Sequence, residues 1–305
     1  MANGIMVDEA TYYGDSEKYT GTSGSITNQW CVEDCYDFLA IVQGGTDTCY
    51  YKLVKDIDFN THPTYRYGFI NQAIMSRSAS YYHIYIDGNG HNICNIILKN
   101  YTSTTFMYIT RISNVNFVNV VCLSCTISGL YYGFVRGTCQ NCNFGIYMSS
   151  SRTNMIFNSG TKSDCTFNIK GSTTDGINFC KETLTRCHIN LDISTDSMYM
   201  ITGQSNSENF VLDNSYVTGE IKTSNVEPYL FCYATLANSY VALKINTDGN
   251  TIHPFNGLYV SSVSFVDVDL LPKLRQTAAT NLYYLTTAQA QDPSYLQSIG
   301  FPSVA

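Results

Sequence analysis

The stretch from residue 122 to 142, CLSCTISGLYYGFVRGTCQNC, holds two Cys-x-x-Cys pairs, Cys122 with Cys125 and Cys139 with Cys142. Four thiolates at that spacing can close a tetrahedral zinc site. The competing reading is a set of small apolar side chains in a packed interior, where cysteine is among the residues most often fully buried. In a strand, positions i and i+3 point to opposite faces, so each pair needs a tight turn before it can grip one ion. Packed thiols and no metal are therefore the expectation.

Paired carboxylates are the second chemistry. Asp56 with Asp58, Asp192 with Asp196, Glu208 with Asp213 and Asp267 with Asp269 are candidates. An i, i+2 pair on one strand face sets its carboxylates roughly 6–7 Å apart, a spacing that suits acid-and-base cleavage of a glycan. The same alternation, in KDIDFN and VDVDLL, also describes strands that show acids to solvent. No acids, arginines and aromatics recur together from repeat to repeat, so no catalytic residue is assigned; Asp267 and Asp269 stand only as weak glycan-cleavage candidates. DGNGHN (87–92) and NTDGNT (246–251) lack the acidic spacing of a calcium loop and read as turns. The five histidines show no ligand spacing, and no nucleotide or nucleophile motif occurs, so no cofactor is expected. Adjacent tyrosines at 12–13, 50–51, 81–82, 131–132 and 283–284 must send one ring outward wherever they lie in a strand. Tyr81, Tyr82, Tyr131 and Tyr132 are the glycan- or interface-binding candidates, with interface use favoured.

Composition frames these motifs. The 305 residues include 25 Tyr and 15 Phe but only 13% charged residues, against about 25% in ordinary soluble domains. β-Branched and aromatic residues favour strands. A net charge of −7 offers no basic patch for a nucleic-acid partner, and no apolar run is long enough to span a membrane. The opening MANGIMVDEATYYGDSEKYTG is not a Sec-type signal peptide, which predicts synthesis in a reducing cytoplasm with the 12 cysteines as free thiols.

An internal repeat organises the strands. NICNIIL, ISNVNFVNV, CQNCNFGIY, KSDCTFNIK, LTRCHINLD, DNSYVTGEI, LANSYVALKI and VSFVDVDLL align on Cys94, Val115, Cys142, Cys165, Cys187, Tyr216, Tyr240 and Val266. Steps of 21 to 29 residues with period-two strands and polar corners describe an all-β solenoid; a β-sandwich is the main alternative. The triplets Cys142-Phe144-Ile146, Cys165-Phe167-Ile169 and Cys187-Ile189-Leu191 are predicted to point inward, with Cys above Cys and Phe above Phe. His188 is predicted to face outward. Val32, Cys35, Tyr36, Leu39 and Val42 predict an amphipathic N-terminal cap helix, followed by CYYKLVKDIDFN as the first strand. Thr286-x-x-Gln289 predicts a capping box, and Asp292-Pro293 a second helix start ending at Gly300. The expected organisation is an extended arm (1–29), a cap helix and first strand (30–55), the β-helix (56–272) and a small helical C-terminal cap (273–305).

YIDGNGHNICNIIL followed by ISNVNF- and CQNCNF-type repeats resembles right-handed parallel β-helix proteins. Within that group the chain is similar to structural proteins of tailed-bacteriophage particles: head fibres, capsid decoration proteins and tail spikes. The YDFLAI…YYKLVKDIDFN opening and LTTAQAQDPSYLQSIGF ending also resemble the borders of such β-helices. The resemblance implies a non-enzymatic virion protein, a homotrimer docked on a capsid or other virion protein through its N-terminal arm and contacting host-surface or mucosal glycans. The alternative on the same fold is a tail-spike polysaccharide depolymerase. Position on the particle, the receptor, oligomer number and the roles of Cys122 and Cys139 stay open at this level.

Overall fold

One place before the inward anchor of each repeat stands a turn residue: Asn114, Asn141, Asp164, Arg186, Asn214 and Asn238. In the computed structural model, which describes residues 25–41, 48–61, 84–99, 107–123, 126–127, 134–153, 157–174, 176–203, 210–275 and 282–299, all six have φ between +46° and +54°. Asn and Asp tolerate this left-handed conformation better than other L-residues. Arg186, the exception, is held by two bonds to the Asp164 carboxylate, Nε to Oδ1 at 2.7 Å and Nη2 to Oδ2 at 2.8 Å. That guanidinium keeps the Asp164 carboxyl below the usual range. The corner does not break the hydrogen-bond ladder. The N–H of Asn114, Asn141, Asp164, Arg186 and Asn214 each donates to a carbonyl of the next repeat at 3.0–3.1 Å.

These corners stack twenty-one described strands, every named pair parallel, into one continuous sheet that coils as a β-helix. Parallel pairing removes the antiparallel sandwich. Each full turn of the coil carries three faces. The strand Tyr229–Thr247 runs across all of them: Tyr229 to Cys232 on the first, Ala234 to Ala237 on the second, and Ser239 to Thr247 on the third. Tyr233 and Asn238, with φ of 50° and 47°, turn the two corners between them.

The register sorts the interior into columns. On the third face Ile57, Ile93, Phe117, Phe144, Phe167, Ile189, Val217, Val241 and Phe265 lie in register. Phe117, Phe144 and Phe167 stack with centroids 5.0 and 5.2 Å apart and planes within 8° of parallel. All three predicted triplets are buried. The anchor column needs correction at its ends. It runs Val115, Cys142, Cys165, Cys187, Ser215, Ser239, Val263, so Tyr216 and Tyr240 lie one place too far along and Tyr216 is exposed. Val266 is buried but three places beyond the column. Cys94 pairs in register with Val118, three places beyond Val115, and so leaves the column; Ile93, level with Phe117, is the buried residue beside it.

Cysteine and serine share one job here. Cys142 Sγ donates to the carbonyls of Gln140 and Ile112, Cys165 Sγ to Ser163 and Cys139, and Cys187 Sγ to Thr185 and Lys162. Ser215 Oγ donates to Asp213 and Leu184, and Ser239 Oγ to Ala237 and Leu212. Each donor reaches the carbonyl two residues back and one in the preceding repeat. The column satisfies carbonyls at the tightest corner, and either hydroxyl or thiol fits.

Both ends differ from expectation. Trp30–Val32 is a strand paired with Tyr51–Leu53, so Cys49–Leu53 is not the first strand. The helix is Cys35–Ala40, with Cys35, Phe38 and Ile41 buried; Val32 belongs to the strand, the Leu39 side chain is not described, and Val42 lies outside the described residues. At the C-terminus the capping box on Thr286 and Gln289 forms, and Asp292 caps Pro293–Ser298. Gly300 lies outside the described residues. Neither Thr287–Ala290 nor Pro293–Ser298 buries a side chain, and Leu282–Leu285 pairs with Val263–Val266 as a further strand. The C-terminal segment thus extends the coil.

On the second face the column Ile112, Cys139, Lys162, Leu184, Leu212 places a lysine in the core. Lys162 Nζ donates to Glu182 Oε2 at 2.9 Å and to the Gly137 carbonyl at 2.7 Å, and both side chains of the ion pair are fully buried. Glu182 Oε1 has no hydrogen-bond partner among the described residues. Burial pushes the Glu182 carboxyl up despite the lysine beside it. Gly137, at φ +131°, approaches so closely that a Cβ there would lie 2.0 Å from the Ile109 carbonyl oxygen. Only glycine can bring its carbonyl to the lysine in this way.

Two outcomes follow for denaturant unfolding. Cys165→Ser is expected to remain within about 1 kcal/mol of wild type, and Ser215→Ala to cost about 0.5–1.5 kcal/mol by removing the hydrogen bonding of its buried hydroxyl. A Ser215→Ala protein as stable as wild type would refute the donor role. Lys162→Met is expected to cost about 3–5 kcal/mol because Glu182 is left buried without its partner, and Lys162→Met with Glu182→Leu to recover most of that loss. A double variant no better than the single one would show that the pair is not the reason.

Candidate functional site

Outward residues obey the same register as the core, so aromatic side chains also stack outside. On the first face Tyr199, Tyr229 and His253 lie in register. Their rings are 5.7 and 4.6 Å apart, the second pair with planes 22° from parallel. Asn256 Nδ2 donates to the Tyr199 hydroxyl at 3.3 Å. On the third face His188 stacks on Tyr216 at 4.1 Å, its Nε2 2.6 Å from Thr218 Oγ1. Burial lowers the His188 pKa, so the ring is neutral near pH 7 and acts as an aromatic surface. Beside it runs a lane of amides and hydroxyls: Asn190 Nδ2 donates to Asn168 Oδ1 at 3.2 Å, and Thr218 Oγ1 to Asn190 Oδ1 at 3.4 Å.

The first-face column leads to a recess at the corner where third face passes to first. Glu227, Asn250, Thr251, His253, Lys273 and Arg275 line it, with Pro272 and Leu274. Three successive repeats contribute. A parallel bridge between Ile252 and Leu274 ties the last segment down, with Ile252 N–H donating to the Lys273 carbonyl at 2.7 Å and Arg275 N–H to the Ile252 carbonyl at 2.8 Å. Gly249 makes the tight corner possible: a Cβ there would fall 1.5 Å from the Val226 carbonyl oxygen. Stacked rings followed by a polar, charged recess can bind sugar rings by their apolar faces and their hydroxyls by hydrogen bonds.

The sequence candidates fall elsewhere. Tyr81, Tyr82, Tyr131 and Tyr132 lie outside the described residues. At 50–51 one ring is buried, Tyr51, while Tyr50 stacks on Tyr85 at 4.7 Å. Asp267 and Asp269 are not an i, i+2 strand pair: the strand ends at Val266, and Asp269 sits in a bend with φ of 59°. The Asp267 carbonyl accepts from Thr287 Oγ1 at 2.9 Å, which ties this bend to the C-terminal helices. Asp56 and Asp58 serve turns. Asp56 accepts from the Asn92 N–H and Nδ2 and contacts His91 Nδ1, and the Asn92 bonds hold its carboxyl below the usual range. Asp58 Oδ1 accepts from the Asn60 N–H and Asn95 Nδ2. Asp196 accepts from Ser224 Oγ, and Glu208 lies outside the described residues. In DGNGHN, Asp87 Oδ1 accepts from the Asn89 N–H and Asn114 Nδ2, as a turn carboxylate does.

The cysteine pairs are also placed. Cys122, Cys139 and Cys142 occupy three different buried columns, and Cys125 lies outside the described residues. No group of three or more metal-ligating side chains occurs among the described residues, and no disulfide joins the described cysteines. Burial pushes the Cys139 thiol up to about 12, far from the thiolate a metal needs. Cys122 and Cys139 are thus core residues. Sequence reasoning missed Tyr199, Tyr229, His253, Lys273 and Arg275. The available signal was that Tyr199 and Tyr229 each open the strand that precedes an anchor.

No family model matches the chain, and no curated protein matches it. A crystal structure from Bacteroides ovatus, provisionally named an immunoglobulin A1 protease, aligns with a TM-score of 0.49 and 12% identity over 90% of this chain and 88% of that one. The likeness assigns neither activity nor partner to this chain.

Proposed function

We propose that this chain is a non-enzymatic structural subunit of a tailed-bacteriophage particle, of head-fibre or capsid-decoration type, whose β-helix adheres to host-surface or mucosal glycans. The resemblance of its repeats and borders to such proteins supports the setting. The outer aromatic column Tyr199, Tyr229 and His253, leading into a polar recess, is the observation that carries the adhesive role. A coil whose outer rings are spaced by strand separation presents a row of ring edges, with the outer face at its end open to a ligand. Asp56 and Asp58 are engaged in turns, and Asp267 and Asp269 lie in a bend, which favours binding over cleavage. The arm, residues 1–29, attaches the subunit to the capsid or another virion protein, and three copies form the mature spike.

On an array of bacterial and mucosal glycans the purified protein is expected to bind without releasing reducing ends. Tyr229→Ala with His253→Ala should weaken that binding at least about tenfold, from the loss of two stacking platforms. Release of reducing sugar, abolished by Asp267→Asn with Asp269→Asn, would replace this reading with the depolymerase. Deleting residues 1–29 should leave a folded coil that is not incorporated into particles; normal incorporation would overturn the role of the arm.

A further inference from the structure

We infer that the recess beside Tyr229 and His253 is a carboxylate site, so that the glycan it takes is acidic: a saccharide containing a hexuronic or other carboxylated sugar. This rests on the glycan-adhesion reading and specifies its substrate class. The recess measures about 410 Å³, room for one or two sugar residues. In a chain of net charge −7 it gathers two permanent cations, Lys273 and Arg275, against the single carboxylate of Glu227. The excess of one positive charge matches one carboxylate.

The local backbone explains why both cations face the recess. Leu274 is buried and pinned by its bridge to Ile252, which holds the flanking Lys273 and Arg275 at the wall of the recess. Lys273 is half-buried and already oriented, its Nζ donating to the Thr247 carbonyl at 3.1 Å. The Arg275 guanidinium is exposed and has no hydrogen-bond partner among the described residues. A planar guanidinium free to pair grips a carboxylate through two parallel bonds, which neither a hydroxyl nor a neutral sugar ring can match. Around it, Asn250 and Thr251 offer an amide and a hydroxyl to sugar oxygens. The His253 ring, stacked on Tyr229 at 4.6 Å, supplies the apolar platform for the pyranose face. Glu227 Oε2, 4.0 Å from His253 Nε2, accepts from sugar hydroxyls and disfavours a second anionic group on the same residue.

Titration with oligogalacturonate and with the corresponding neutral galactose oligomer, at about 50 mM and about 300 mM salt, tests the assignment. The acidic oligomer is expected to bind at least about tenfold more tightly at low salt, with the gap narrowing at high salt. Arg275→Gln should abolish the preference, with the melting temperature unchanged. Equal affinity for the two oligomers, or an unchanged preference in Arg275→Gln, overturns the carboxylate site and leaves the adhesion reading standing. Displacement of the oligomer by inorganic phosphate at concentrations comparable to free galacturonate would make this a general oxyanion site and also overturn the assignment. Failure to bind any glycan, on the array as in titration, overturns the adhesion reading itself.

Discussion

A solenoid exists only if every repeat returns to the same register, and here that return is set at one corner. The chain must turn within two residues, keep its ladder hydrogen bonds and leave no carbonyl stranded in the core. An Asn, Asp or salt-bridged Arg in the left-handed region makes the turn, and an inward thiol or hydroxyl immediately after it shares its proton between carbonyls of two repeats. The rest follows from that pair of positions. With the corner fixed, the next three inward side chains fall on the same columns in every repeat, and phenylalanines separated by more than twenty residues in sequence meet at 5.0 to 5.2 Å. Stacked pairs of this kind add about 0.5–1.5 kcal/mol each beyond the burial of their area.

The same constraint explains why a lysine can enter the core. A rung that must present a residue to the interior at Lys162 tolerates a charge only where a partner stands one rung away at the same depth. Glu182 does, and the Gly137 carbonyl supplies the second acceptor because no side chain holds it at a distance. The arrangement costs desolvation of two ions, so it contributes little net stability compared with a leucine pair. What it supplies is register: a slip by one residue would turn Lys162 or Glu182 to the opposite face and separate them. The pair acts as a pin between two repeats in a column whose other members are apolar.

How much of this could be read from the sequence depended on whether a residue's role was local. Cys142-Phe144-Ile146 and its counterparts declared themselves because apolar alternation and recurrence agreed. The capping box on Thr286 and Gln289 was legible because its partners lie three residues apart. Ser215 and Ser239 were passed over in favour of Tyr216 and Tyr240: a serine reads as solvent-facing until its two carbonyl acceptors, one of them a repeat away, are known. Cys94 misled for the reverse reason, since cysteine reads as buried, while its register with Val118 puts it outside the anchor column and Ile93 beside it faces inward. Lys162 gave no sign of its buried role because its partner Glu182 is twenty residues on. Asp267 and Asp269 kept the spelling of a strand past the point where the strand ends.

The recess was illegible for a further reason, which also bears on where binding sites arise in such a coil. Its residues come from three corners, at 227, 250–253 and 272–275, and no alignment of strands brings corners into view. Along the faces, repetition makes the surface uniform: Asn168, Asn190 and Thr218 continue one another, and no position differs enough from its neighbours to orient a ligand. Near the C-terminus repetition lapses. Residues 270–275 leave the strand pattern, are tied to the coil by the bridge at Ile252 and Leu274 and by the Lys273 bond to the Thr247 carbonyl, and bring two cations to the surface of a chain that is acidic overall. The regular stack therefore supplies a rigid platform of rings, and the irregular corner at its end supplies the charge that can select among ligands lying on that platform.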